Sequence, residues 1–160
     1  KQLAERYPYM DLTRVGVTTH QAGGPGALQG LLNHPDFFKV GVSGWLHDSR
    51  LLSAPMWGDK YEGLSGPDEG NLYPEDRVES LQGKILFIQG MLDTSSPPAG
   101  TFRVIEALQK ANKDFDMLFL PNMGHATPSY LVRRTWDYLV RNLQGEEPPK
   151  DFKLVTSQDM

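Results

Sequence analysis

Cysteine is absent from this sequence of 160 residues, which excludes disulfides and thiolate metal sites and leaves the redox compartment open. No apolar run reaches the roughly 18 residues that a membrane-spanning helix needs, so membrane insertion is not expected. Basic residues are not in excess, since the net charge is −4, and nucleic acid is not an expected partner. The four histidines lack the spacing of metal ligands, and we expect neither a metal nor another cofactor.

Strands and helices alternate along the chain. Short apolar, β-branched runs predict four buried strands, at residues 14–19, 38–44, 84–90 and 115–121. Apolar residues at helical spacing predict helices at 26–34, 99–113 and 128–145, the second with Phe102, Ile105, Ala107 and Leu108 facing inward. This order predicts an α/β fold of about four mostly parallel strands with flanking helices.

Residues 45–83 interrupt this alternation. The stretch is rich in Gly, Pro, Asp and aromatic residues, and we interpret it as an excursion between the second and third strands. The last residues are polar and contain proline. We therefore expect one domain over residues 1–145 and a polar tail over 146–160.

Polar residues follow three of the predicted strands. His20 and Gln21 come after the first strand, Asp93 after the third and His125 after the fourth. Ligands of open α/β sheets gather at the carboxyl ends of the strands. The order of sharp turn, acid and histidine is that of the catalytic triad in α/β-hydrolases.

Each of these features also has a purely structural explanation. The glycines at positions 23 and 24 could simply form a tight turn. Asp93 could serve only to start the next helix, and His125 could be an ordinary loop histidine. Three strand ends with two fitting residue types in the right order favour a site.

Five stretches carry a family resemblance: "DLTRVGVTTHQAGG" at 11–24, "HPDFFKVGV" at 34–42, "QGMLD" at 89–93, "LPNMGH" at 120–125 and "RRTWDYLVRNLQGEEPP" at 133–149. In these stretches the chain resembles the C-terminal part of the catalytic domain of the prolyl oligopeptidase family, in its dipeptidyl-peptidase-IV-like branch. The resemblance implies the C-terminal half of an α/β-hydrolase fold and a serine-type exopeptidase that cleaves after proline.

The resemblance also implies roles for individual residues. Asp93 and His125 correspond to the acid and the base of the triad, and the backbone N–H of Ala22 corresponds to an oxyanion donor. Trp57 and Tyr61 correspond to two aromatic residues that line the pocket for a proline-like side chain. Aromatic packing beneath the excursion is the alternative explanation of that pair.

Two departures from the family pattern fall on the turn itself. Gln21 stands where the family has its nucleophilic serine, and a glutamine amide is not a nucleophile. Thr19 stands where the family has a glycine, which predicts that the turn is relaxed or rearranged. A relocated nucleophile at Thr18 or Thr19 is disfavoured because both precede the tip of the turn. Whether the chain is an enzyme stays open at this stage.

Three functional hypotheses follow. The first is a serine-peptidase domain by descent that is inactive because of Gln21, and the second is a non-catalytic module that binds a peptide or a protein. The third is a hydrolase in which His125 activates water while Gln21 donates a hydrogen bond to the substrate. The third is the weakest, because a base without a nucleophile or a metal leaves most of the barrier in place.

The resemblance covers only the last four of the family's eight catalytic-domain strands, so we expect a larger parent protein or a second chain. Residues 15–19 would then form an open sheet edge. We expect the N-terminal segment, another copy of the chain or the rest of the parent to cover that edge. The sequence does not identify a compartment, and the family favours a periplasmic or secreted protein.

Overall fold

Four parallel strands form one sheet in a computed structural model that describes residues 1–46 and 74–155. The strands lie side by side in chain order: β1 (Val15–His20), β2 (Phe38–Gly44), β3 (Lys84–Gly90) and β4 (Asp116–Leu120). All three pairings are parallel, so the four carboxyl ends meet at one end of the sheet. The predicted α/β class is confirmed.

Four α-helices lie in the described residues: α1 (Gln2–Arg6), α2 (Gly24–Asn33), α3 (Pro98–Lys110) and α4 (Ser129–Leu139). Helix α2 joins β1 to β2, and helix α3 joins β3 to β4. Helix α4 continues into a π-helical turn, Val140–Gln144, and ends at Gly145, whose φ of 75° is the left-handed conformation that glycine adopts at helix ends. Two 3-10 segments, Gln21–Gly23 and Pro74–Ser80, complete the described elements. No helix in the described part of the chain has the length and apolar character to cross a membrane.

Both faces of the two central strands are mostly buried, which is why β2 and β3 appear in the sequence as almost continuous apolar runs. Ile85 and Phe87 on β3 pack with helices α2 and α3 on one face, in a cluster that includes Leu28, Leu31, Val104 and Leu108. Leu86 and Ile88 point to the other face, where helix α4 supplies Leu131 and Tyr138. The result is a three-layer arrangement with the sheet in the middle.

The predicted inward face of helix α3 was partly wrong. Its buried residues are Gly100, Thr101, Val104, Ile105 and Leu108. Phe102 is 41% exposed and packs edge-on against Phe119 with ring centroids 5.6 Å apart. One helical residue corresponds to a rotation of about 100°, so Phe102 lies beside the buried stripe and not within it.

A local hydrogen-bonded turn leads into β1. The Asp11 carboxylate accepts hydrogen bonds from the Thr13 hydroxyl at 2.6 Å and the Thr13 N–H at 2.9 Å, and from Arg14 Nε at 2.6 Å. These contacts lower the pKa of Asp11 to about 2, with the Thr13 hydroxyl as the largest cause and Arg14 the next. Asp11 and Arg14, both in the first of the five motifs, therefore define the entry to β1.

Strand β1 is an outer strand of the described sheet. Among the described strands only β2 pairs with it, and its residues are partly exposed where those of β2 are mostly buried. What covers the outer edge of β1 stays a prediction.

Glycine is required where helix α2 starts above the end of β2. A Cβ on Gly24 would lie 2.7 Å from the Trp45 carbonyl oxygen and 2.9 Å from the Leu46 Cα. Both are backbone atoms and neither can move aside. At the adjacent Gly23, a Cβ would meet nothing closer than the Thr19 Cβ at 4.0 Å.

We expect Gly24→Ala to lower the free energy of unfolding by about 1–3 kcal/mol, because the added methyl overlaps the backbone after β2. Gly23→Ala is the matched control and should change it by less than about 0.5 kcal/mol. Urea unfolding of both variants measures the difference. Equal stabilities of the two variants would contradict the close contact.

Candidate active site

A sharp turn joins β1 to helix α2 at the carboxyl end of the sheet. His20 is still extended (φ −147°, ψ 145°), and Gln21 adopts a φ of 56°, in the left-handed region that side-chain-bearing residues rarely occupy. Gln21 is exposed at the tip of this turn. The strained strand–turn–helix geometry of a nucleophile elbow is therefore present, with glutamine at its apex.

Thr19 was predicted to relax or rearrange the turn. The positive φ at Gln21 shows that the turn is not relaxed, and a rearrangement stays a prediction. The Thr19 hydroxyl donates to the Gly24 carbonyl at 3.0 Å and accepts from the Ala27 N–H at 3.2 Å. Its methyl group lies beside Gly26, where an added Cβ would be 3.3 Å away. The threonine fits because a glycine of helix α2 faces it and because its hydroxyl binds the first turn of that helix.

The structure brings Asp93 and His125 into direct contact, although they lie in different loops. Asp93 Oδ2 and His125 Nδ1 are 2.7 Å apart, and the Asp93 side chain is fully buried while that of His125 is 29% exposed. An ionised carboxylate only accepts hydrogen bonds, so Nδ1 carries the proton and Nε2 of the neutral imidazole has the free lone pair. This is the arrangement of the acid and the base in a catalytic triad.

The acid loop is held by two further sets of hydrogen bonds. Asp93 Oδ1 accepts the backbone N–H groups of Ser95 at 2.7 Å and Ser96 at 2.9 Å. The buried Gln89 side chain donates to the Gly90 and Ser96 carbonyls and accepts the Thr101 hydroxyl of helix α3 at 2.8 Å. Asp93 therefore organises the turn before helix α3 and also contacts His125. It does not start the helix as the structural explanation proposed, because the N-cap residue is Pro97.

Trp45 contributes to this region, and the sequence analysis did not identify it. Its side chain is fully buried, and its indole Nε1 donates to the Gly124 carbonyl at 3.2 Å, next to His125. Trp45 has a φ of 51°, so two of the four non-glycine residues with positive φ in the described chain, Gln21 and Trp45, lie at this site. A usable signal existed, because Trp45 directly follows β2 and so occupies the one strand end that was not considered.

His20 lies between the turn and the loop of His125. Its Nε2 is 3.2 Å from the Thr127 hydroxyl, its ring contacts Trp45 edge to face at 4.6 Å, and its centroid is 6.3 Å from that of His125. Burial lowers the pKa of His20 below its usual value, the proximity of His125 lowers it further, and Asp93 acts in the opposite direction. His20 is therefore neutral at pH 7.

The remaining predicted site residues are only partly placed. The backbone of Ala22 lies in the 3-10 turn just before helix α2, at the helix end where N–H groups lack partners within the helix. Its role as an oxyanion donor stays a prediction. Trp57 and Tyr61 lie outside the described residues. Within residues 1–46 and 74–155, no group of three or more His, Asp or Glu side chains is placed to hold a metal ion.

A family model and several known proteins match the chain. The model of the prolyl oligopeptidase family (Peptidase_S9) matches residues 1–146. The chain belongs to the prolyl oligopeptidase family. The resemblance noted in the sequence motifs is thereby confirmed.

Relatives of this prolyl oligopeptidase family chain include dipeptidyl peptidases. Human dipeptidyl peptidase 8 is 26% identical over 130 residues, which are 78% of this chain and 14% of that protein. Venom dipeptidyl peptidase 4 of Vespula vulgaris is 28% identical over 135 residues, or 79% of this chain and 17% of that protein. The chain thus spans about a sixth of the length of these relatives.

Two solved structures place the fold among known ones. Porphyromonas gingivalis dipeptidyl peptidase 4 superposes with a TM-score of 0.73 at 26% identity, over 85% of this chain and 20% of that chain. Acetyl xylan esterase 1 from Thermoanaerobacterium superposes with a TM-score of 0.65 at 20% identity, over 88% of this chain and 50% of that chain. The second match shows the fold alone. Together they establish the α/β-hydrolase fold of this prolyl oligopeptidase family chain.

We expect the stability of this family member to fall as the pH drops below about 6.5, in part because of His20. Its pKa is lowered in the folded state, so the unfolded chain takes up the proton first as the pH falls. The stability that results from this lowered pKa is fully present above the pKa of His20 in the unfolded chain. It is lost as the pH falls through the pKa of His20 in the folded chain.

His20→Gln should therefore show a smaller loss of melting temperature than the unmodified chain when the pH changes from 7.5 to 5. Differential scanning calorimetry at the two pH values measures this change. An identical pH dependence of the two proteins would show that His20 does not titrate in this way.

Proposed function

We propose that this chain is a peptidase-like hydrolase domain that does not carry out acyl transfer, because its nucleophile position is occupied by glutamine. The observation that supports this most directly is Gln21 at the apex of a retained elbow, close to an Asp93–His125 pair with the geometry of a triad acid and base. Nε2 of His125 can accept a proton, but a glutamine amide offers no nucleophilic lone pair for it to unmask.

Among the described residues, the hydroxyl groups of the turn and of the acid loop are poorly suited to act as the nucleophile. The Thr19 hydroxyl donates to the Gly24 carbonyl, so its proton is directed into the first turn of helix α2. Ser95 and Ser96 lie in the acid loop, where their backbone N–H groups bind the carboxylate oxygen that His125 does not use. The remaining route, water activated by His125, would lack a covalent intermediate.

The test is a fluorophosphonate probe, which labels activated serines, together with a chromogenic Xaa-Pro substrate. We expect no labelling and no turnover with the unmodified chain. Gln21→Ser should gain labelling, and adding His125→Ala to that variant should slow it by at least about 100-fold, the lower range for loss of a general base. Labelling or turnover by the unmodified chain would contradict the proposal.

A second candidate function is non-covalent peptide binding at the same end of the sheet. What favours it is that the acid, base and elbow remain organised while Gln21 presents an exposed amide, which can both donate to and accept from a peptide backbone. Membership of the prolyl oligopeptidase family and the dipeptidyl peptidase relatives make a peptide with proline in the second position the first ligand to test.

We expect such a peptide to bind to the unmodified chain, with affinity reduced about 5-fold or more by Gln21→Ala, which removes both amide contacts. Isothermal titration calorimetry measures the affinity, and a peptide of the same composition with alanine in place of proline is the control. Equal binding of the two peptides, or of the two proteins, would argue against recognition at the elbow.

A further inference from the structure

The loop that carries His125 is held by more than the acid. Gly124 lies on one side of His125, and its carbonyl accepts a hydrogen bond from the indole N–H of Trp45 at 3.2 Å. Thr127, on the other side, has its hydroxyl 3.2 Å from His20 Nε2. The two contacts flank the histidine and come from two different strand ends, those of β2 and β1.

Trp45 is a rigid support for this loop. It is fully buried, and its backbone N–H donates to the Ile88 carbonyl of β3 at 2.9 Å. Its own carbonyl lies so close to Gly24 that an added Cβ there would be 2.7 Å away. The Trp45 backbone is thus held by β3 and by the start of helix α2, and its side chain is fully buried in the cluster that includes Ile88 of β3 and Leu131 of helix α4. The indole therefore has little freedom to shift, and its N–H helps to define where Gly124 lies.

His20 holds the other side of the loop. A hydroxyl group can donate or accept, so the contact between Thr127 and His20 is a hydrogen bond in either neutral tautomer of the imidazole. The His20 ring is itself placed by its edge-to-face contact with Trp45 at 4.6 Å. Trp45 and His20 therefore form one unit, and both of its hydrogen bonds reach the loop of His125.

The Asp93 contact alone does not fix the orientation of His125. It is a single hydrogen bond to Nδ1, about which the imidazole and the partly exposed loop could still swing. Hydrogen bonds at positions 124 and 127 restrict that freedom, because one holds the backbone carbonyl of Gly124 and the other holds the side chain of Thr127, on either side of residue 125.

We propose that Trp45 and His20 are positioning residues for His125: they hold its loop through the Gly124 carbonyl and the Thr127 hydroxyl and so maintain the bond to Asp93. This proposal rests on the proposed function only in treating His125 as the base of the site. The proposal gives a role to two residues that do not correspond to triad residues in any of the five motifs. It does not require a nucleophile at position 21.

The experiment follows the Nδ1 proton of His125 by NMR, through its rate of exchange with solvent. The signal is assigned by its loss in His125→Gln. Thr127→Val removes the hydroxyl and keeps the shape, and Trp45→Phe removes the indole N–H. Each should accelerate exchange about 5-fold or more, as expected for loss of one ordinary hydrogen bond. Thr127→Ser keeps the hydroxyl and should restore the slow rate.

A matched control separates positioning from general loss of stability. Leu108→Val alters a fully buried side chain in the layer of helix α3, away from the His125 loop, and should destabilise the chain without accelerating the exchange. Exchange at the unmodified rate in Thr127→Val and Trp45→Phe would overturn the proposal. So would an equal acceleration in Leu108→Val.

If Trp45→Phe does not fold, Thr127→Val and Thr127→Ser still decide the contact with His20. The readout is independent of catalysis. Labelling of the unmodified chain by a fluorophosphonate would overturn the proposed function and would leave the exchange rates, and this inference, unaffected.

Discussion

Parallel pairing of four strands is the constraint on which the rest of this structure depends. It places the carboxyl ends of all four strands at one end of the sheet, although the residues that follow them are separated by up to about a hundred positions along the chain. Asp93 and His125 meet only because β3 and β4 are neighbours in the same direction. For the same reason Trp45, after β2, reaches a carbonyl 79 residues away.

The parts of the fold that the sequence predicted best are those in which burial alone decides the structure. Strands β2 and β3 are covered on both faces, so each appears as an apolar run, and the predicted bounds agree with the observed ones. Helix α3 was less well predicted, because Phe102 is apolar but lies beside the buried stripe, against Phe119. For an apolar residue at the margin of a helix face, the sequence does not indicate whether the side chain is buried or exposed.

The site residues that chain order and residue type identify could be predicted from the sequence. The features of the site that depend on packing were harder to predict. Asp93 and His125 follow strand ends in the order of a triad, and the structure brings them together. The conformation of Gln21 could not be predicted from Thr19, because it depends on how helix α2 begins. With Gly24 against the Trp45 carbonyl, the chain has three residues in which to turn from strand to helix. A positive φ at the apex is thus a property of the packing, and it persists without the nucleophile.

Persistence of the acid–base pair has an equally physical explanation. The Asp93 carboxylate is fully buried and accepts three hydrogen bonds, from Ser95, Ser96 and His125. Replacing His125 would remove one donor from a buried acceptor, which typically costs about 1–3 kcal/mol and more for a charged group. Asp93 also organises the turn before helix α3, so it cannot be lost without a structural cost of its own. The pair is therefore stabilised by folding alone, whichever residue occupies the tip of the turn, and its presence is not by itself evidence of catalysis.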